Sequence, residues 1–287
     1  MKTLIKKIIL IIVCLLTLNA ISYAGETVPF FYNLMPKYDS NSIIDYNVDV
    51  VSFELWEDET AIYVNGEEIE VFDNYFELDI TDLFGEQEFI ISNYVGEEVF
   101  IKYYISNEDG LVENFKSSEF KNYDVYVTTV DEVKIIYSEK DLESIEKVIE
   151  CLENMPIETK SNLKEFKLLP NKVRGNVAGV TNYDKITLYG ISKYDDKTIE
   201  NIIYHEVAHT WAYELIKEKV LDFSYTDYRE IIELDNNFVS NYSKKAIKNN
   251  DDYSEDFAES IAFFLIDEDN FTENHPARAD FILSILN

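Results

Sequence analysis

Cysteine is almost absent from this chain. Among 287 residues only Cys14 and Cys151 are cysteines, and Cys14 lies within the apolar run from Ile8 to Leu18. If that run leaves with a cleaved leader, Cys151 stands alone and no internal disulfide can form. The fold must then rest on its core, with a metal ion as the remaining brace, as suits an exported protein of Gram-positive type. Positive charge is also scarce. The chain has 25 Lys and Arg against 56 Asp and Glu, a net charge of −31. Nucleic-acid phosphates and anionic lipid surfaces both require basic patches, so neither is expected as a partner. Histidine is rarer still, with three in the whole chain.

The N-terminus carries a secretory signal. Lys2, Lys6 and Lys7 precede the apolar run, and Ser22-Tyr23-Ala24 offers small residues at the −3 and −1 positions of a cleavage site. Residues 1–24 are therefore expected to be removed, leaving 25–287 as a secreted chain. The run is short for a bilayer span, so no stable membrane insertion is expected. Ile12-Val13 before Cys14 lacks the small residues of a lipoprotein signal. The strong negative charge favours a soluble monomer.

From Val48 to Ile105 the hydrophobic period is two. Val51, Phe53 and Leu55 alternate with Ser52, Glu54 and Trp56, and Phe76, Leu78 and Ile80 with Glu77 and Asp79. Ile62 and Val64 lead through Asn65-Gly66, a hairpin-turn pair, to Ile69 and Val71. Val99, Ile101, Tyr103 and Ile105 alternate again. This spacing predicts an all-β sandwich, immunoglobulin-like, as an N-terminal domain over 25–115. The polar stretch from Asn107 to Asn122 reads as the linker. An α+β domain over 116–287 follows. Its expected elements are strands at Val125–Val130, Val133–Tyr137, Phe166–Pro170 and Lys185–Tyr189. Helices are expected over Asp141–Asn154, with Cys151 as a buried thiol, and from an Asp195-Asp196 cap to about Lys217. Ala178 to Leu188 is a candidate exposed edge, whose glycine would let one backbone approach another. A peptide substrate could add itself there as a further strand.

The chemistry gathers at Tyr204-His205-Glu206-Val207-Ala208-His209-Thr210-Trp211. At 3.6 residues per turn His205 and His209 stack on one helix face and can grip one metal ion, with Glu206 in reach of a water on it. A catalytic zinc takes three protein ligands and leaves a position for water. The third is expected from Tyr253-Ser254-Glu255-Asp256-Phe257-Ala258-Glu259. That helix is apolar around much of its girth, yet carries Glu255 and Glu259 one turn apart. Buried carboxylates need a cation or donors. Glu255 is the expected ligand and Glu259 the expected acceptor for a ligand histidine N–H, and the reverse assignment stays open. His275, in Glu273-Asn274-His275-Pro276, is the weaker alternative for the third ligand. Zinc would lower the pKa of its water from about 15.7 toward 7. Glu206 would take the proton and later pass it to the leaving amine. A phenol could steady the oxyanion.

These residues, with Val239-Ser240-Asn241-Tyr242 between them, resemble the catalytic domain of anthrax lethal factor. They are also similar to the secreted bacterial Pro-Pro endopeptidases. The resemblance covers residues of about 120–287, and Glu255-Asp256-Phe257-Ala258-Glu259 is its most specific part. It implies a zincin-type metallopeptidase fold, one zinc held by His205, His209 and Glu255, and Tyr242 as the oxyanion donor. The stretch from Ser243 to Asp252 is longer than the family pattern and carries three lysines. It is expected as a solvated loop, and it leaves Tyr253 as an alternative to Tyr242. The expected activity is secreted zinc-dependent hydrolysis of peptide bonds in extracellular or surface proteins, with a proline-directed specificity as one form of it. The alternative from a different class is a secreted binding or adhesion module with an inactive protease-like domain. A toxin fragment acting inside host cells would need a translocating partner, for which no region is visible.

Overall fold

The computed structural model describes residues 34–37, 40–55, 61–170, 177–222 and 224–286. The leader expected over 1–24 lies outside these, as do Trp56, Gly175 and Asn176. Among the described residues no helix is long and apolar enough to cross a membrane. The chain divides into two compact units, Met1–Ile105 and Ser106–Asn287.

The first unit is built from eight strands. β1 (Leu34–Pro36), β3 (Val50–Leu55) and β6 (Tyr75–Asp79) form one antiparallel sheet. β2 (Ser42–Ile44), β8 (Glu98–Ile105), β7 (Gly85–Asn93), β4 (Ile62–Val64) and β5 (Glu67–Ile69) form the other, in that order. The alternation seen in the sequence gives each strand one apolar face. Val51, Phe53 and Phe76 of one sheet share a core with Ile62, Ile91, Tyr103 and Ile105 of the other. The Phe53 and Phe76 rings stack there with centroids 4.7 Å apart. Asn65 and Gly66 turn β4 into β5 with φ of 52° and 86°. Positive φ at both central residues matches the right-handed twist of the flanking strands.

The second unit starts earlier than the linker reading allows. Val112 N–H donates to Val125 O and Val127 N–H to Gly110 O. The stretch expected to be a linker therefore pairs with β9 (Val125–Val130). β10 (Val133–Ser138), β11 (Glu165–Leu169), β12 (Gly179–Asn182) and β13 (Lys185–Tyr189) complete a mixed sheet of order β12-β13-β11-β10-β9. β12 and β9 pair antiparallel at the two ends, and the inner strands run parallel. α1 (Leu142–Asn154) and α3 (Asp196–Lys217) follow the expected positions, the short α2 (Ile157–Lys160) was not foreseen, and the unit is mixed α+β.

α3 is apolar nearly all round because it belongs to two cores. Ile199, Ile203, Tyr204 and Val207 pack with the sheet and α1. Ala208, Trp211, Ala212 and Leu215 pack with the C-terminal helices. Those helices are α4 (Thr226–Asp235), α5 (Asn241–Asn250), α6 (Ser254–Ile266), α7 (Glu268–Asn274) and α8 (Pro276–Leu286). The connection expected as a loop after Tyr242 is thus helical. Ser240 Oγ accepts from Tyr242 and Ser243 N–H in a reciprocal cap, which satisfies the first donors of α5. Lys244 and Lys248 of this helix lie over the Phe238 ring.

α4, α6 and α8 are tied by Arg278, whose side chain is fully buried. Its guanidinium donates to Asp256 Oδ1 at 2.9 Å and Oδ2 at 3.3 Å, to Asp235 Oδ2 at 2.8 Å and to Asn237 O at 3.0 Å. Asp235 also accepts Ala277 N–H at the start of α8. The planar fork of an arginine serves two carboxylates and a backbone carbonyl from one rigid plane, a geometry that a lysine ammonium does not reproduce.

Candidate metal centre

α3 begins where Asp195 Oδ1 accepts Thr198 N–H at 2.8 Å, and no glycine or proline interrupts it before Lys217. His205 and His209 therefore keep helical spacing, with ring centroids 4.8 Å apart. α6 packs along the same side of α3 through small residues, since Ala208, Ala258 and Ala262 are all fully buried. That contact carries Glu255 and Glu259 to the histidines. Asp256, next to Glu255 on α6, is held by Arg278, which fixes the rotation of the helix.

Three ligand-type atoms converge. Glu255 Oε2 lies 3.2 Å from His205 Nε2 and 3.5 Å from His209 Nε2, and the two nitrogens are 3.2 Å apart. Ligands about 2.0–2.1 Å from a tetrahedral zinc would stand about 3.3–3.4 Å from one another. The three sides of the triangle bracket that value. Glu255 Oε2 is buried with no donor aligned to it among the described residues. A buried carboxylate oxygen with no hydrogen-bond donor, facing two imidazole nitrogens, is a poor arrangement without a cation and a good one with it. Among the described residues this is the one cluster of three or more such side chains suited to a metal.

Glu259 takes the other side of the imidazole. Its Oε1 is 3.2 Å from His205 Nδ1, which is where an acceptor sets the tautomer that turns Nε2 toward a metal. Burial alone would lower the His205 pKa, but the Glu255 and Glu259 carboxylates outweigh it and carry it up to about 9. Burial would likewise raise Glu255, yet the two histidines close beside it hold it well below the usual carboxylate range.

Tyr242 reaches the cluster and Tyr253 does not. The Tyr242 ring centroid is 6.0 Å from that of His205. Burial first, then the charges of Glu255, Glu206 and Glu259, push its phenol up to about 12, so it stays protonated as a donor. Tyr253 instead donates to Asp251 Oδ1 at 2.9 Å and lies under Arg229. His275 sits at the α7–α8 junction with its ring 5.0 Å from that of Phe271 and is no part of the metal cluster.

Glu206 is buried against β12. Thr181 Oγ1 lies 2.8 Å from Glu206 Oε2 and 3.0 Å from Glu206 O. Gly179 stands so close that a Cβ there would meet Glu206 Oε1 at 2.5 Å. The glycine admits a side chain, where backbone against backbone was the expectation. Thr181 was not singled out in the sequence. The one signal was an isolated glycine in a strand pattern, which marks close approach without saying of what.

Further along the α3–α6 crevice lies a cavity of about 790 Å³. Asn201, one turn before His205, and Phe263, one turn after Glu259, line it with Val239, Asn270 and His275. No protein-family model matches the chain, and no curated protein matches it.

Proposed function

We propose that this chain is a secreted zinc-dependent endopeptidase. Its second unit is a zincin-type metallopeptidase domain like those of lethal factor and the Pro-Pro endopeptidases, and its first is an immunoglobulin-like sandwich. The observation that carries the reading is the triangle of His205 Nε2, His209 Nε2 and Glu255 Oε2, with sides of 3.2, 3.2 and 3.5 Å.

His205, His209 and Glu255 would hold the zinc, whose Lewis acidity would acidify a water and polarise a peptide carbonyl. Glu206 accepts the proton of the attacking water at a carboxylate oxygen and returns it to the leaving amine. Tyr242, half-exposed at the rim, donates its phenol proton in a hydrogen bond to the developing oxyanion. Glu259 keeps the His205 ring in orientation. β12 is the terminal strand of its sheet among the described residues. An extended peptide pairing with its open edge would lie alongside Glu206. The nearby cavity, lined by amides and apolar side chains with Asp195, Lys197 and Asp267 among them, has room for a substrate side chain.

The test is cleavage of a diverse peptide library by 25–287 with zinc, beside Glu206→Ala. Cleavage by the wild type and none by the variant is the expected result. Failure of the wild type to cut, or equal cutting by both, rejects the peptidase reading. Metal analysis is expected to give about one zinc per chain, reduced in Glu255→Ala and unchanged in His275→Ala.

A further inference from the structure

We propose that Gly179 and Thr181 of β12 are positioning residues that hold Glu206 in the geometry its proton transfer needs, an inference that rests on the function proposed above.

Two contacts fix the glutamate from neighbouring directions. The Thr181 hydroxyl has one proton and two acceptors in reach, Glu206 Oε2 at 2.8 Å and Glu206 O at 3.0 Å. It therefore bridges the carboxylate to the carbonyl of its own residue, two groups that would otherwise repel. The other oxygen, Oε1, accepts no hydrogen bond among the described residues and lies over Gly179. A Cβ at Gly179 would stand 2.5 Å from Oε1 and 2.6 Å from Cδ and Cγ. Gly179 does not have the positive φ that favours glycine, since it is absent from the residues in that region. An alanine would fit its backbone. The three atoms nearest to that methyl group all belong to the Glu206 side chain.

The same two residues present their backbones to the open edge. Tyr189 N–H donates to Ala178 O, so 178 and 189 form a hydrogen-bonded pair of the β12–β13 ladder. Pairs alternate along an antiparallel ladder. Val180 and Asn182 therefore bond to β13, and the N–H and C=O of Gly179 and Thr181 point away from it. Their side-chain positions contact Glu206 while their backbone groups await a guest strand. A peptide docked on β12 would thus be registered against Glu206 by the residues that hold Glu206.

The experiment compares Thr181→Val, Thr181→Ser and Gly179→Ala with the wild type. Valine keeps the shape of threonine and removes the donor. Its kcat is expected to fall on the order of 10- to 100-fold, as for one lost hydrogen bond to a charged group. KM and zinc content stay at wild-type values, and serine restores kcat. For Gly179→Ala, where the carboxylate must move by about 1 Å, kcat falls about 100-fold. Crystal structures of the zinc-free proteins give the readout that does not need turnover. Glu206 is expected to keep its place in Thr181→Ser and to leave it in Thr181→Val. Wild-type kcat in Thr181→Val, a kcat that serine fails to restore, or an unmoved Glu206 overturns the proposal. If even the wild type cleaves no peptide, the peptidase reading falls, and the position of Glu206 in the Thr181 variants still decides this one.

Discussion

Arg278→Met should destabilise the second unit more than any other single change at a charged residue. The substitution removes a buried cation and leaves Asp235 and Asp256 facing each other without it. Four charge-assisted hydrogen bonds are lost. At about 1.5–3 kcal/mol each their simple sum would overshoot. Methionine avoids the cost of burying the guanidinium, and neither aspartate is stripped bare. Asp235 keeps the Ala277 N–H at 2.8 Å, and Asp256 keeps the Tyr228 hydroxyl at 3.2 Å. Breaking a buried pair by removing one partner costs about 3–5 kcal/mol, and these residual donors place the expected loss near 3–4. At about 2–4 °C per kcal/mol for a domain of this size, the melting temperature falls by about 6–16 °C. Trp211, buried against Phe257 with ring centroids 6.3 Å apart, reports on this unit. The only other tryptophan is Trp56. Thermal unfolding followed by fluorescence in a Trp56→Phe background therefore isolates the transition. Because Asp256 directly follows Glu255 on α6, zinc affinity should drop with it. A shift under about 2 °C would show that the network merely breaks even and does not set the rotation of α6.

Zinc binding should strengthen with pH. The metal needs His205 neutral, and its pKa in the metal-free protein is carried up to about 9. A proton held this tightly must be displaced, so His205 alone gives about a tenfold gain in apparent affinity per pH unit up to about pH 9, then a plateau. Competition titrations with a chromophoric chelator from pH 7 to 10 measure this, and a flat profile over pH 7 to 9 refutes it. Cys151 should resist alkylation in the folded state. Burial pushes its thiol up to about 12, only partly offset by Lys147, so little thiolate exists at pH 8. Iodoacetamide labelling should follow unfolding by denaturant, and labelling faster than unfolding would contradict the buried placement.

The cluster of His205, His209, Glu255 and Glu259 was readable because few alternatives existed. With three histidines in the chain, helical spacing set two on one face, and an apolar helix with two glutamates one turn apart pointed to their neighbours. The strands of the first unit after Val48 were readable because one face of each is wet, whereas the three-residue β1 and β2 before it are too short to show a period. α4, α7 and α8 were not, and neither was the helix after Tyr242. The apolar residues of α4, α5 and α7 are few per turn, α8 is apolar without a polar face to mark its period, and caps such as Ser240 show their partners only once folded. Thr181 and Arg278 were silent for another reason. Each acts on a residue far away in sequence, 25 and 22 positions for the nearest carboxylate served, and no local period records such a pairing.

The double allegiance of α3 has a consequence for how the protein fails. Val207 faces one core and Ala208 the other, with His205, Glu206 and His209 on the seam. Neither half can melt while the other goes on working, since both lend a wall to the same three side chains. Partially opened forms should be inactive, and amide hydrogens from Ile203 to Ala212 should exchange only through global opening of the unit. Exchange of these amides at the rate of α5 or α7 would show that the seam is not shared.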